Sequence, residues 1–210
     1  MSQEVSAAAT GDGEAKVDGR HARRAANREA ILAALAALHR EGDLSPSTTT
    51  IAERAGLSAR SLFRYFDDVD DLNRAAIEAQ LALVQPLLRV DAHAADATDV
   101  KVERLAASRS ELFEVMAPTA RVARMVAPRH EVVAAQLAEG RAFWREQVRR
   151  LFAPELAAMG RAEADLALAS ADVLCSFESY ELLRHDHGLT SAKATATMRH
   201  GLTALFAPTG

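Results

Sequence analysis

The chain has 210 residues, of which 49% are apolar, 5% aromatic and 26% charged, with a formal net charge of −4. That length suits one domain or a small domain followed by a larger one, and the apolar content is too high for a disordered chain. The single cysteine, Cys175, excludes an intrachain disulfide and a multi-thiolate zinc site, and no run of about 18 apolar residues is present to span a bilayer.

The apolar mass is mainly Ala and Leu, both strong helix formers, while Val/Ile alternation is nearly absent, so the expected fold class is all-α. Charge is unevenly distributed. Between Arg20 and Tyr65 eight arginines face four acidic residues, a net of +4, whereas residues 1–19 carry −3 and the remainder −5. A short basic module therefore accompanies an acidic body, a distribution suited to a nucleic-acid partner. The first residues lack the basic-then-apolar layout of a secretory signal, and the expected location is cytoplasmic.

In chain order, residues 1–19 are rich in Ala, Gly, Ser and acidic residues without periodicity and are expected to be a disordered tail. A helix is predicted from Arg20, with Ile31, Ala34, Leu35 and Leu38 forming one apolar stripe and Gly42 the stop. Ser47 to Thr50 offer N-caps to a short helix carrying Ile51, Ala52 and Ala55. Gly56 suits a left-handed turn position, and Ser58 can cap a second short helix over Ala59–Phe66. Asp67 or Asp68 caps a long helix through Leu72, Ala75, Ala79, Leu83 and Leu87, which Pro86 should kink or end. After a loop at 91–98, helices are predicted at 99–116, 119–126, 129–152, 162–185 and 190–206, about nine in all. The domains implied are a three-helix N-terminal module at 20–67 and a larger helical bundle at 68–210.

Two short helices joined by a tight Gly-containing turn are what a helix-turn-helix needs, and residues 47–66 supply them. Ile51, Ala52, Ala55, Leu57, Leu62 and Phe66 make its small core. Thr49, Ala59, Arg60, Ser61, Arg64 and Tyr65 are left outside. An ordinary helical hairpin would not need that excess of outward arginine. The hydroxyl-rich start at Ser47–Thr50, the IAERAGLS turn and the SLFRYF segment followed by an acidic helix cap resemble the TetR family of bacterial transcriptional regulators. The motif match runs from about Arg28 to Leu72; the rest resembles the family only in length and helical layout.

The resemblance implies a dimeric regulator of double-stranded DNA, a repressor released by a small molecule. By position, Thr48 and Thr49 would contact phosphate or a base edge, and Ser58, Ala59, Arg60 and Ser61 form the reading end of the second helix. Arg60 is the first choice for a base reader, Arg64 and Tyr65 would hold phosphates, and Arg20, Arg23 and Arg24 would form a basic arm. Many relatives carry a lysine where this chain has Val69 among Asp67, Asp68, Asp70 and Asp71, so one phosphate contact is missing here.

The C-terminal bundle would hold the effector and the two-fold interface, placing two reading helices about 34 Å or a small multiple apart on a pseudo-palindromic operator. The large apolar candidates for the pocket are Leu83, Leu87, Phe113, Met116, Met125, Phe143, Trp144, Val148, Phe177 and Tyr180, an apolar set favouring a hydrophobic or amphipathic effector. Leu168, Ala171, Cys175, Leu182 and Leu183, with Ala194, Thr197, Leu202 and Leu205, are the candidates for the dimer face. Each could equally face the monomer core.

No catalytic set, metal site or cofactor-binding loop stands out. His185-Asp186-His187 reads as a solvated helix end before Gly188, Cys175 as apolar filling, and Arg145–Arg150 as a charged helix surface. The competing classes are a helical small-molecule-binding protein or enzyme whose N-terminal module is only structural, and an architectural DNA binder without effector.

Overall fold

The computed structural model describes residues 11–207, with side chains from residue 21 onward. Among them are ten α-helices and no strand: α1 (Gly11–Arg40), α2 (Thr48–Arg54), α3 (Ala59–Leu62), α4 (Val69–Val84), α5 (Thr98–Val126), α6 (Glu131–Leu151), α7 (Ala153–Ala158), α8 (Arg161–Leu174), α9 (Phe177–Glu181) and α10 (Ser191–Phe206). The all-α expectation holds. The chain divides into two compact units, the first ending at Ala79 and the second beginning at Gln80. The division falls within α4, beyond the boundary expected at 67, because Leu72 and Ala75 are buried in the N-terminal core.

Several elements depart from expectation. Helix α1 begins at Gly11 rather than Arg20, so residues 11–19 are helical and only 1–10 of the expected tail lie outside the described residues. Pro86 ends α4 as anticipated, in a 3-10 turn at Gln85–Leu88. Pro118, in contrast, does not interrupt α5: Phe113, Ala117 and Ala120 are buried on both sides of it, and that packing carries the helix through the missing donor. The helix expected over 162–185 is broken at Cys175–Ser176, where the Ser176 hydroxyl accepts from the Ser179 amide at 3.1 Å and starts α9 afresh. A π-helical turn at Leu182–Asp186 follows, and the short α7 was not anticipated.

In the C-terminal unit, α5 packs against α10, and α8 packs against α6 and α10. Its core contains an aromatic cluster in which Phe113 meets Trp144 and Phe177 edge-on, with centroids 5.6 and 5.7 Å apart, and Tyr180 at 5.5 Å. The buried Tyr180 hydroxyl donates to Glu114 at 2.6 Å and lies within bonding distance of Ser110 and Ser191, tying α5, α9 and α10 through satisfied polar groups. Buried Lys101 is likewise paired with Glu155, at 2.6 Å.

Candidate nucleic-acid interface

The N-terminal unit is built on the buried set Ile31, Leu35, Leu38, Ile51, Ala52, Leu62, Phe66, Leu72 and Ala75, contributed by α1 to α4 and the turn after α3. Two left-handed glycines set the corners. Gly42 (φ 95°) ends α1, with the Asp43 amide bonded to Leu38 O and its own amide to His39 O. Gly56 (φ 71°) ends α2 in the same way, through Leu57 N to Ala52 O at 2.8 Å and Gly56 N to Glu53 O at 3.0 Å. These paired bonds are the Schellman arrangement, in which a residue without a Cβ adopts positive φ without strain.

Ser47 caps α2 by accepting from Thr50 N at 3.1 Å, and Ser58 caps α3 by accepting from Ser61 N at 3.2 Å. Helix α3 is shorter than expected. After Leu62, Phe63 to Tyr65 continue as a turn, with Arg64 N bonded to Ser61 O and Tyr65 N to Leu62 O. Burial of both Leu62 and Phe66 holds this tighter winding.

Around α3, Ser58, Arg60 and Arg64 are exposed, Ala59 and Ser61 half-buried; on α2, Thr49 is exposed and Thr48 half-buried. Tyr65 is half-buried, its hydroxyl accepting from Asn27 Nδ2 at 2.7 Å while the Arg24 guanidinium lies 6.0 Å from its ring centre. Arg28 stands similarly over Phe66 at 5.0 Å. Arg23 and Arg24 therefore do not lie on a separate arm but on α1 itself, because the helix continues upstream. The side chain of Arg20 lies outside the described residues. Asn27 and Arg28 were not among the expected site residues, although they follow Arg23 and Arg24 at helical spacing.

Not every arginine here is available. Arg54 makes two bonds to Glu41, at 2.7 and 2.8 Å, and that hydrogen bonding holds the Glu41 carboxyl below its ordinary pKa. The aspartates after the motif have a local purpose: Asp68 accepts from Asp71 N at 2.7 Å and Asp71 accepts from Asp67 N at 3.2 Å, a reciprocal cap on α4. Val69 is 46% exposed at the first position of that helix.

In the C-terminal unit the expected pocket residues stand in different surroundings. Phe113, Val148, Phe177 and Tyr180 are buried in the core, Leu87, Met116 and Trp144 pack against it, and Leu83 and Met125 are exposed. Phe143 is 50% exposed and lines a cleft of about 430 Å³ together with Val90, Ala92, His93, Gln147 and Leu151. A second cleft, about 630 Å³, is lined by Phe177 among charged residues including Arg121, Arg124, Glu181 and His185. Arg121 is bonded there to Glu181 at 2.6 Å and also to His185.

The expected dimer residues divide likewise. Leu168, Ala171, Cys175, Ala194 and Leu202 are sealed in the core of the unit and are unavailable to a partner; Leu183 and Leu205 pack against that core. Leu182 and Thr197 are exposed. Helices α8 and α10 pack against each other so closely that a Cβ on Gly201 would stand 2.8 Å from Leu174 Cδ1. The exposed apolar residues of α8 are instead Leu166, at 71%, and Val173, at 63%.

No family model matches the chain, and neither does any curated protein. Among solved structures the chain is similar to one described as a "putative TetR-family transcriptional regulator from Rhodococcus sp.", with a TM-score of 0.64 and 18% identity over 86% of this chain and 99% of that one. At that identity the likeness establishes a shared fold, and it is the fold that the Ser47–Phe66 resemblance implied.

Proposed function

We propose that this chain is a DNA-binding transcriptional regulator, a repressor that holds a pseudo-palindromic operator as a homodimer and is released by a small hydrophobic or amphipathic effector. The observation that carries the reading is the geometry of α2 and α3. Their apolar faces are buried, a left-handed Gly56 sets the turn, and Thr49, Ser58, Arg60 and Arg64 remain on the outside. A structural hairpin would gain nothing from unpaired arginines at its second helix, whereas a reading helix requires them.

Arg60 reads a base edge near the start of α3, with Ser58 and Ser61 beside it. Thr48, Thr49, Arg64 and Tyr65 fix register on phosphates, joined by Arg23 and Arg24 from α1. Tyr65 reaches phosphate from a hydroxyl already oriented by Asn27. The exposed Leu166 and Val173 on α8, with Thr197 on α10, favour these helices as the two-fold contact. Effector binding to the C-terminal unit would then shift the population towards a form with lower operator affinity.

Footprinting on the DNA flanking the protein's own gene tests the reading. A protected site with two-fold symmetry is expected. Absence of sequence-specific protection, with the protein folded, would return the N-terminal unit to a structural role and favour the helical binding protein or enzyme.

A further inference from the structure

One buried charge in the C-terminal unit has no partner equal to it. Arg109 lies on the buried stripe of α5 that also carries Val102, Leu105, Ala106, Leu112 and Phe113, and its own exposure is 0%. Nη2 donates to Gln147 Oε1 at 2.7 Å, while Nε and Nη1 find no acceptor at all. The guanidinium also faces Trp144, 5.8 Å from the ring centre. It forms no ion pair among the described residues. Cys175 and Asp172 lie close enough to favour its charge, but the Cys175 thiol is pushed up to about 12 by burial and so is neutral. Burial raises the pKa of Asp172, whose charge favours that of Arg109 without bonding to it, and burial pushes the pKa of Arg109 down, yet a guanidinium stays protonated in a protein. A buried cation with two nitrogens, Nε and Nη1, that donate to nothing is unfavourable unless something supplies acceptors and negative charge.

The way in is Gln147. This residue lines the 430 Å³ cleft, holds Arg109 with its oxygen, and donates with its nitrogen to Leu88 O at 2.8 Å. Val90, Ala92, Phe143 and Leu151 give the cleft apolar walls, and His93, Glu146 and Arg150 also line it, the Glu146 carboxylate being paired with Arg150 at 2.7 Å. Its volume lies in the range of small-molecule sites, roughly 300–1,000 Å³. The amide oxygen of Gln147 therefore stands where a carboxylate oxygen would make a stronger, charge-assisted bond.

We propose that this cleft takes an amphipathic organic acid, its carboxylate displacing Gln147 to pair with Arg109 and its apolar part lying along Val90, Phe143 and Leu151. The proposal rests on reading the C-terminal unit as the effector-binding part, and names the chemical class of the effector. The acid head takes the place of Gln147 at Nη2 with one oxygen, gives an acceptor to Nε or Nη1 with the other, and brings a negative charge into direct contact with the guanidinium. Moving Gln147 would also release its bond to Leu88, at the end of the 3-10 turn that follows α4.

The test is calorimetric titration of the full chain with octanoate, decanoate and phenylacetate, each beside its matched alcohol (1-octanol, 1-decanol, 2-phenylethanol). At least one acid should bind tenfold or more tightly than its alcohol. Arg109→Met should abolish that preference while remaining folded by circular dichroism, since an apolar replacement removes an uncompensated charge. Gln147→Ala, which keeps Arg109 but removes the competing amide, should tighten acid binding severalfold. Equal binding of acid and alcohol, no binding of any acid, or an acid preference that survives Arg109→Met would overturn the proposal. Gel shifts on the same samples separate the two readings. Intact operator binding without acid preference sinks only the acid, whereas loss of operator binding in the unmodified protein sinks the regulator.

Discussion

Three arginines within the helix-turn-helix stand in different surroundings, and replacing each by alanine should give three different results. Arg60 and Arg64 are exposed and form no ion pair among the described residues, whereas Arg54 is clamped to Glu41 by two bonds at 2.7 and 2.8 Å. If Arg60 reads a base edge, Arg60→Ala removes about 1–3 kcal/mol per site, a loss of about 5- to 150-fold in affinity, and relaxes preference at one base pair of each half-site. Its slope of log K against log salt should barely change. Arg64→Ala should weaken binding to all sequences alike and lower that slope by about 0.9 for each phosphate no longer neutralised. Arg54→Ala should do neither to a comparable extent, because its charge is already neutralised by Glu41. Fluorescence anisotropy with the footprinted site and single-base variants, at four or five salt concentrations, reads all three. Indistinguishable losses for Arg54, Arg60 and Arg64, with no change of base preference, would refute the assignment of roles. The outcome would then be bulk attraction between a basic surface and DNA.

Three further outcomes follow from packing and titration. Leu62 is wholly buried, so Leu62→Ala should cost about 2–5 kcal/mol and melt the N-terminal unit in urea while the helical signal of the C-terminal unit survives to higher denaturant. Glu155 is partly desolvated, which opposes ionisation, but hydrogen bonds from Lys101 and Thr98 prevail and hold its pKa below the ordinary value of 4.5. Its stabilising contribution is therefore complete above pH 4.5 and is lost as pH falls through the lowered value. Glu155→Gln should flatten that acid limb and, by leaving buried Lys101 without its counter-charge, lower stability at neutral pH by about 3–5 kcal/mol in thermal or urea melts. The Cys175 thiol, fully buried and pushed up to about 12, should resist Ellman's reagent in the native protein and react promptly once unfolded.

What the sequence made legible and what it did not divide along physical lines. The corners of the N-terminal unit could be read because they depend on local chemistry: Gly42 and Gly56 adopt positive φ, and Ser47, Ser58 and Asp68 accept from amides three residues on. The C-terminal unit resisted the same reading because Ala and Leu look alike on a core face and on a partner face. Leu168 and Leu202 are core, while Leu166, two positions before Leu168, is exposed. Pro118 misled because a local rule yielded to packing along α5, and Ser176 because a cap in mid-pattern looks like any other serine. Arg109 did carry a signal. It falls in phase with Leu105, Leu112 and Phe113, where an apolar residue belongs, and a charge in such a place calls for a partner.

The acidic run after the motif can be weighed in the same way. Four aspartates beside the proposed DNA-reading surface look unfavourable, and the absence of a lysine at Val69 adds to that. Yet Asp68 and Asp71 are bonded to backbone amides at the start of α4, and Arg74 lies 3.6 Å from Asp71. Part of their charge is spent on the helix N-terminus, where it stabilises the fold rather than repelling a phosphate. In the proposed function, phosphate anchoring then falls to Arg64 and to the α1 arginines. There Arg24 lies over Tyr65 and Asn27 holds its hydroxyl. The proposed grip on DNA is therefore lopsided, with cations contributed by α1 replacing one that α4 does not supply.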